Sequence, residues 1–374
     1  MKKKNHYRGL LALQQVPDLG LRRIKLLLDK TGTDDASDLF NMKARDLLRI
    51  DGIGETVAAN IQNFKAWDAV DEIITKTTNI KASLVAFNDE EYPSLLRHIY
   101  DPPILLWIRG DQSVLNHDGI AIIGTRNPSR YGMEQAAKWA TLLSDTGICI
   151  NSGLAYGVDA IAHRNTLDAG GKTVAVLGSG IDVIYPYKNK PIAERIIENG
   201  GAVITEYPPG TPPDAVNFPG RNRIVSGMSR GVLVIESGIK GGSMITARYA
   251  LDQNREVFVI PHPLNNARGE GCNYLIKTGQ GKLVQTTEDI FDEISVESAV
   301  QAGRENPPVA KKWETMELNQ NDRELCLILS SGDLHIDQIS EQTGNPVYRL
   351  LPQLLELEMT GVIHQKAGKY FGLK

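Results

Sequence analysis

The sequence predicts an α/β fold, a Rossmann-like, doubly wound and mostly parallel sheet, and three observations carry that reading. From Gly119 onward, short β-branched runs alternate with helical stretches: Ile120–Ile123, Ile148–Ile150, Val174–Leu177, Val203–Thr205, Val232–Ile235, Val257–Ile260 and Leu283–Val284. Their starts recur every ~24 to 30 residues, the length of a strand plus its crossover helix. The runs are apolar without alternation, as parallel strands covered on both faces must be. The helical stretches between them stop at glycines: Tyr131 to Thr146 at Gly147, Val158 to Ala169 at Gly170-Gly171, and Pro191 to Asn199 at Gly200-Gly201. Glycine is the residue that best accepts the left-handed turn ending a helix.

Two further pieces flank this domain. The stretch Tyr7 to Thr78 reads as helical, with Leu10, Leu11, Leu13, Ile24, Leu27 and Leu28 at apolar positions. It predicts an N-terminal helical domain of SAM/helix-hairpin-helix type over 1–80, followed by the extended Rossmann-like domain over 81–300. Inside the first, Gly52-Ile53-Gly54 sits between two helical stretches, where backbone N–H groups can meet a phosphate. Asp51 and Glu55 flank the turn and would repel one, so a turn used only for packing is the alternative. Residues 301–318, with Pro307-Pro308 and Lys311-Lys312, read as a linker. Beyond it, Asp322–Leu329, Ile336–Gln342 and Pro346–Met359 suggest three helices and Val362 to Phe371 a hairpin, together a winged helix over 319–374.

Composition narrows the class. Of 374 residues, 41% are hydrophobic and 23% charged, ordinary for a soluble globular protein. The start Met1-Lys2-Lys3-Lys4-Asn5 is basic, but no apolar h-region follows, so no signal peptide is expected. No apolar run approaches the ~20 residues that cross a bilayer. A cytoplasmic protein without a membrane partner is expected. Cys149, Cys272 and Cys326 lie far apart and match neither a metal knuckle nor a disulfide framework. No metal or cofactor is expected. The net charge of −4 counts against a generic polyanion binder, so any nucleic-acid surface must be a local patch.

Four loops at expected strand C-terminal ends converge on one edge of the sheet, where doubly wound folds bind ligands. The first begins Gly124-Thr125-Arg126, in which Gly124 lets a ligand approach the backbone and Arg126 can fork onto a phosphate. The second is Ser152-Gly153-Leu154-Ala155-Tyr156-Gly157-Val158-Asp159, followed by His163. Asp159 as a helix cap and His163 as a satisfied buried side chain are its structural alternatives. No Ser or Cys stands at a spacing that would make His163 catalytic, and no catalytic residue is expected. The stretch Tyr207 to Pro219, with five prolines, is expected to be irregular. It leads into the third loop, Asn217-Phe218-Pro219-Gly220-Arg221-Asn222-Arg223. Here Phe218 can stack on a base while Arg221 and Arg223 take phosphates. A core Phe218 with arginines in a structural ion-pair network is the other reading. The fourth, Gly241-Gly242-Ser243 through Arg248, opens a helix and makes an anion site from free N–H groups. It lacks the endings of a Walker A or dinucleotide loop, so ATP and NAD have little support.

Taken in order, these segments resemble the bacterial DNA-processing protein A family (DprA, also called Smf). The resemblance rests on Ile122-Ile123-Gly124-Thr125-Arg126, on Ser152 through His163, on Thr173 through Pro186, on Phe218-Pro219-Gly220-Arg221-Asn222-Arg223-Ile224-Val225-Ser226-Gly227, and on Gly241-Gly242-Ser243-Met244-Ile245-Thr246-Ala247. It covers most of Glu90 to Ile294. The resemblance implies a non-enzymatic protein that binds single-stranded DNA, protects incoming transforming DNA, helps load RecA, and forms homodimers through the Rossmann-like domain. By that analogy Gly124, Thr125, Arg126, Phe218, Arg221, Asn222 and Arg223 form the DNA pocket, with Gly241, Gly242, Ser243 and Arg248 lining it. Tyr156 stands where many relatives carry a basic residue, which would remove one phosphate contact.

Two rival readings come from other classes. A Rossmann-like phosphoribohydrolase would cleave a nucleotide N-glycosidic bond, using Asp159 or Glu236 as the acid. The turn Ile239-Lys240-Gly241-Gly242-Ser243 lacks that family's full glycine signature. A winged-helix regulator would read duplex DNA through Pro346 to Met359. That helix carries Arg349 but also Glu356 and Glu358, a poor match to phosphates. Loss of Arg126 or Arg221 is expected to weaken single-strand binding by ~1–3 kcal/mol.

Overall fold

The computed structural model describes residues 2–33, 35–294, 313, 318–330, 332, 334–366 and 370–373. Contacts divide the chain between residues 303 and 304. In the first unit, α1 (Lys2–Gln15), α2 (Leu21–Thr31), α3 (Ala44–Leu47), α4 (Glu55–Gln62) and α5 (Trp67–Asn79) come first. Then β1 (Ser83–Ala86), α6 (Ser94–Arg97) and β2 (Leu105–Gly110) lead to the alternating region. That region runs β3 (Gly119–Ile123), α7 (Arg130–Asp145), β4 (Cys149–Ser152), α8 (Val158–Asp168), β5 (Thr173–Val176), α9 (Lys190–Glu198) and β6 (Ala202–Thr205). It continues with α10 (Asn217–Gly227), β7 (Gly231–Val234), α11 (Gly242–Asp252), β8 (Glu256–Val259), α12 (Glu270–Lys277), β9 (Lys282–Leu283) and α13 (Glu288–Phe291).

The strands form one sheet in the order β1-β2-β6-β5-β4-β3-β7-β8-β9. From β6 to β9 every pairing is parallel, while β1–β2 and β2–β6 are antiparallel. The Rossmann-like strands therefore stand where the sequence places them. The antiparallel edge of β1 and β2 is an addition: β1 is too short to read locally and exists because it pairs with the apolar β2.

Alternation along each strand feeds two faces. Ile120 and Ile122 pack with Trp139 and Ala140 of α7 and Val158 of α8, whereas Ala121 and Ile123 pack with Ile224 and Val225 of α10 and Ala247 of α11. The N-terminal helices share a continuous apolar core with the sheet, Leu10, Ile24 and Leu47 joining Trp107, Ala175 and Val203. Trp107 Nε1 donates to Thr77 Oγ1 of α5 at 3.0 Å, so even its polar atom is tied to that layer. Residues 1–80, expected as a domain of their own, thus belong to the same compact unit as the sheet.

The second unit contains α14 (Gln320–Leu329), β10 (Leu334–His335), α15 (Ile336–Thr343), α16 (Val347–Met359), β11 (Ile363–Lys366) and β12 (Tyr370–Leu373). Its strands are ordered β10-β12-β11, giving the three helices and wing of a winged helix. Leu325, Leu329, Ile339, Leu350, Leu354, Leu357 and Phe371 close its core. The expected linker 301–318 falls, apart from Trp313 and Leu318, outside the described residues. Among the described residues, no helix is long and apolar enough to cross a membrane.

Candidate nucleic-acid interface

The chain winds β3-β4-β5-β6 to one side of β3 and β7-β8-β9 to the other. The crossovers therefore diverge between the carboxyl ends of β3 and β7, the place where open α/β sheets leave a crevice. A cleft of about 640 Å³ opens there. Of the expected site residues, Gly124, Thr125, Arg126, Phe218, Arg221, Asn222, Gly241, Gly242 and Ser243 line it. Arg223 and Arg248 are outside that lining.

The rim is cationic and aromatic. Arg126 is exposed, and its guanidinium carbon lies 5.8 Å from the centre of the Phe218 ring. Tyr185, 41% exposed, tilts against Phe218 with ring centres 5.6 Å apart. Tyr156 lines a small recess with Arg126, Tyr185 and Phe218. In the sequence, Tyr185 falls unmarked inside the stretch Thr173 to Pro186, and Tyr156 stands out only as a missing cation. Their signal as ring-bearing rim residues is their placement opposite Phe218, which no local pattern encodes. Phe218 itself lies on Gly178, where an added Cβ would meet the ring at 2.9 Å.

Across the cleft, α11 starts at Gly242 with Gly241 as its extended N-cap. The first N–H groups of a helix have no partner within it, and the helix dipole leaves that end positive. Ser243 Oγ donates to Ser237 Oγ at 2.7 Å, fixing the turn. An added Cβ at Gly242 would meet nothing within 4 Å, so this corner is open.

The floor is built on a buried arginine. Arg221 is 5% exposed and donates from Nη1 to the carbonyl of Gly153 at 2.5 Å and to that of Val176. Its guanidinium lies flat on Gly153, so a side chain there would displace it. Burial pushes its pKa down to about 10, Asp159 pulls the other way, and Arg126 adds to the lowering. Asp159 accepts from the N–H groups of Gly153 and Ala155 at 3.2 and 3.3 Å, tying the loop rather than capping α8, whose N-cap is Gly157. Burial pushes the Asp159 carboxyl up, with Arg221 opposing. Beneath them His163 shares a hydrogen bond with Thr173 Oγ1 at 2.7 Å, and burial, reinforced by Arg221, lowers its pKa to about 3. Burial thus favours the neutral imidazole, whose Nδ1 has the buried polar partner that the structural alternative required while its Nε2 is buried without one.

Several expectations change. Asn217 to Arg223 is the first two turns of α10, not a loop, because proline is tolerated in a helix's first turn and Pro219 stands there. Arg223 points away from the cleft: its Nη1 and Nη2 fork onto Glu206 at 2.5 and 2.7 Å, and its Nε donates to Asp101 Oδ2 at 2.9 Å. It is 4% exposed, so the ion-pair reading is the one that describes it. Arg248 is exposed on α11 beyond the cleft lining. Gly124 is small for internal reasons: a Cβ would strike Val158 and the carbonyl of Glu236. Glu236 is fully buried and accepts from Ser129 Oγ at 2.6 Å and Ser129 N–H at 3.1 Å, holding the start of α7. Among the described residues no cluster of His, Cys, Asp and Glu could hold a metal ion, and all three cysteines are buried and free.

Fold and cleft define the class, a Rossmann-like α/β protein with an arginine- and aromatic-rimmed cleft at the switch point of its sheet, joined to a winged helix. Residues 83–295 match the family described as DNA recombination-mediator protein A, and residues 311–369 match the DprA winged helix domain. The chain belongs to the DNA recombination-mediator protein A family, also known as DprA or Smf. It is 38% identical over 296 residues to protein Smf of Escherichia coli (strain K12), covering 78% of this chain and 77% of that one. It is 40% identical over 205 residues to DNA processing protein DprA of Streptococcus pneumoniae, covering 55% and 72%. The solved structure of the S. pneumoniae protein superposes with a TM-score of 0.67 at 31% identity, over 78% of this chain and 99% of that one. DNA processing protein A of Helicobacter pylori, solved for its single-stranded DNA binding mode, superposes with a TM-score of 0.52 at 32% identity, over 57% and 94%.

Proposed function

We propose that this chain is a non-enzymatic single-stranded-DNA-binding protein that protects incoming DNA and loads RecA onto it in natural transformation and recombination. It acts in the cytoplasm as a homodimer formed through the Rossmann-like domain. The observation that carries the reading is the exposed Arg126 over the Phe218 ring at the mouth of the cleft. A ring and a guanidinium side by side suit a polymer that alternates flat bases with phosphates. The open N-terminus of α11 at Gly241, Gly242 and Ser243 supplies a second place for a phosphate. The H. pylori relative's single-stranded DNA binding mode supports the same ligand.

The non-enzymatic part is supported by how the acids are used. Asp159 and Glu236, which a phosphoribohydrolase would need as acid or base, each hold backbone N–H groups of a neighbouring loop. The test is a gel shift with single- and double-stranded oligonucleotides, with and without RecA. The proposal expects preference for the single strand, binding that falls with salt, and faster RecA filament formation on protein-coated strands. Release of free base from nucleoside monophosphates at a real turnover rate would make the protein an enzyme instead. Equal affinity for duplex, lost on deleting residues 319–374, would favour the winged-helix regulator.

A further inference from the structure

The third helix of a winged helix is the one that enters a DNA groove in DNA-reading members of that architecture, and here its outer face is apolar. Along α16, Leu350, Leu354 and Leu357 are buried in the unit's core, while Tyr348, Leu351, Leu355 and Met359 are 70%, 40%, 57% and 81% exposed. Spacings of three, four and four residues put these four on one stripe of the helix. Scattered exposed apolar residues need no explanation, but a contiguous stripe marks a contact surface.

The charges beside the stripe say what covers it. Arg349 and Glu356 stand seven residues apart, two turns, and so share one flank of the stripe. Among the described residues neither has an ion-pair partner within its own chain. Glu356 also stands near Asp322 of α14, whose carboxyl is pushed up by burial and then by Glu356's charge. Their like charges invite a cation that the described residues of this unit do not provide there. Set two copies of α16 antiparallel about an axis near Gln353. Leu351 of each then meets Leu355 of the other, Tyr348 meets Met359, and Arg349 meets Glu356, each contact occurring twice. Such self-complementarity is what a two-fold interface requires. In a parallel pair Arg349 would have no acid at its own level. A groove of DNA, by contrast, would meet four apolar side chains and the carboxylates of Glu356 and Glu358.

We propose that the outer face of α16 is a self-association surface, and that two copies of this chain pair through it antiparallel, Leu351 against Leu355 and Arg349 against Glu356. A single helix stripe is small for a protein interface, so this contact alone is weak and reversible. The inference does not rest on the proposed role of the cleft, and its test needs no DNA.

Disulfide trapping in the full-length protein reads the contact directly, because Cys149, Cys272 and Cys326 are buried and stay silent. The variants are Leu351→Cys and Leu355→Cys, with Glu341→Cys on the exposed side of α15 as the control. A disulfide needs Cα atoms roughly 4.4 to 6.8 Å apart. Mixing the 351 and 355 variants is expected to give several-fold more cross-linked dimer than either variant alone or the control. Adding Arg349→Glu to both partners should lower that yield, and adding Glu356→Arg as well should restore it. Cross-linking of each variant with itself at the mixed yield means a parallel pair and overturns the arrangement. A mixed yield no higher than the control, or no restoration by the charge swap, overturns the proposal.

Discussion

Rim and floor of the cleft use the same residue type for opposite ends. Arg126 on the rim is exposed, its guanidinium over the Phe218 ring, and among the described residues its side chain makes no hydrogen bond or ion pair. Arg221 on the floor is buried against two carbonyls and beside Asp159, and its own guanidinium is 6.0 Å from the same ring. Arg126 turns its guanidinium outward; Arg221 uses Nη1 to hold the Gly153 loop to the end of β5. An arginine count therefore says little about binding until burial is known.

The sharpest way to break this contrast is on the floor. Arg221→Ala leaves two buried carbonyls without a donor and removes the positive charge that opposes the rise of the Asp159 carboxyl. It should cost ~2–5 kcal/mol of stability, the scale for leaving two buried acceptors without their donor at ~1–3 kcal/mol each, seen as a lower denaturant midpoint. A stable Arg221→Ala protein that has lost only DNA affinity would move Arg221 to the rim. On the rim, Phe218→Ala should leave the unfolding midpoint nearly unchanged and weaken oligo-dT binding by ~1–3 kcal/mol, the loss of one stacked base.

A smaller effect sharpens the floor's character through pH. His163 is held neutral, its pKa lowered to about 3 from an ordinary 6.5 by burial and then by Arg221. Below pH 6.5 the unfolded chain takes up a proton that the folded one refuses, so stability falls as pH drops from there toward 3. The slope contributed is up to ~1.4 kcal/mol per pH unit. His163→Gln should flatten that limb in urea titrations at pH 4 to 7, and an unchanged slope would mean the ring protonates in place. Smallest of all, deleting residues 319–374 should change single-strand affinity by less than about tenfold, ~1.4 kcal/mol. α16 carries an apolar stripe rather than a cationic one.

Much of this was legible in the sequence. The unalternating runs of β3 to β8 and the glycines closing the helices between them report burial on both faces, a property local to each segment. The cleft's edge followed from the loops' places in the chain, since Gly124 and Gly241 both come shortly after expected strands, at whose carboxyl ends doubly wound folds bind ligands. What stayed hidden depends on distant partners. Between Tyr207 and Arg230 the chain shows three arginines and the single acid Asp214, which suggests spare positive charge. Arg223 is nonetheless neutralised by Glu206, just outside that window, and by Asp101, 122 residues away. Gly124 looked like an approach for ligand, yet Val158 and Glu236, brought in by α8 and β7, are what leave it no room for a side chain. β1 escaped notice because four residues paired antiparallel at an edge have no periodicity of their own.

The claim that the rim, not the floor, meets DNA is tested most directly by Arg126→Ala, read in two measurements on one protein preparation. Oligo-dT affinity should fall by ~1.5–3 kcal/mol, as for a lost charged hydrogen bond, with a shallower dependence on salt, while the thermal midpoint stays where it was. Undiminished affinity in the folded variant would contradict the account.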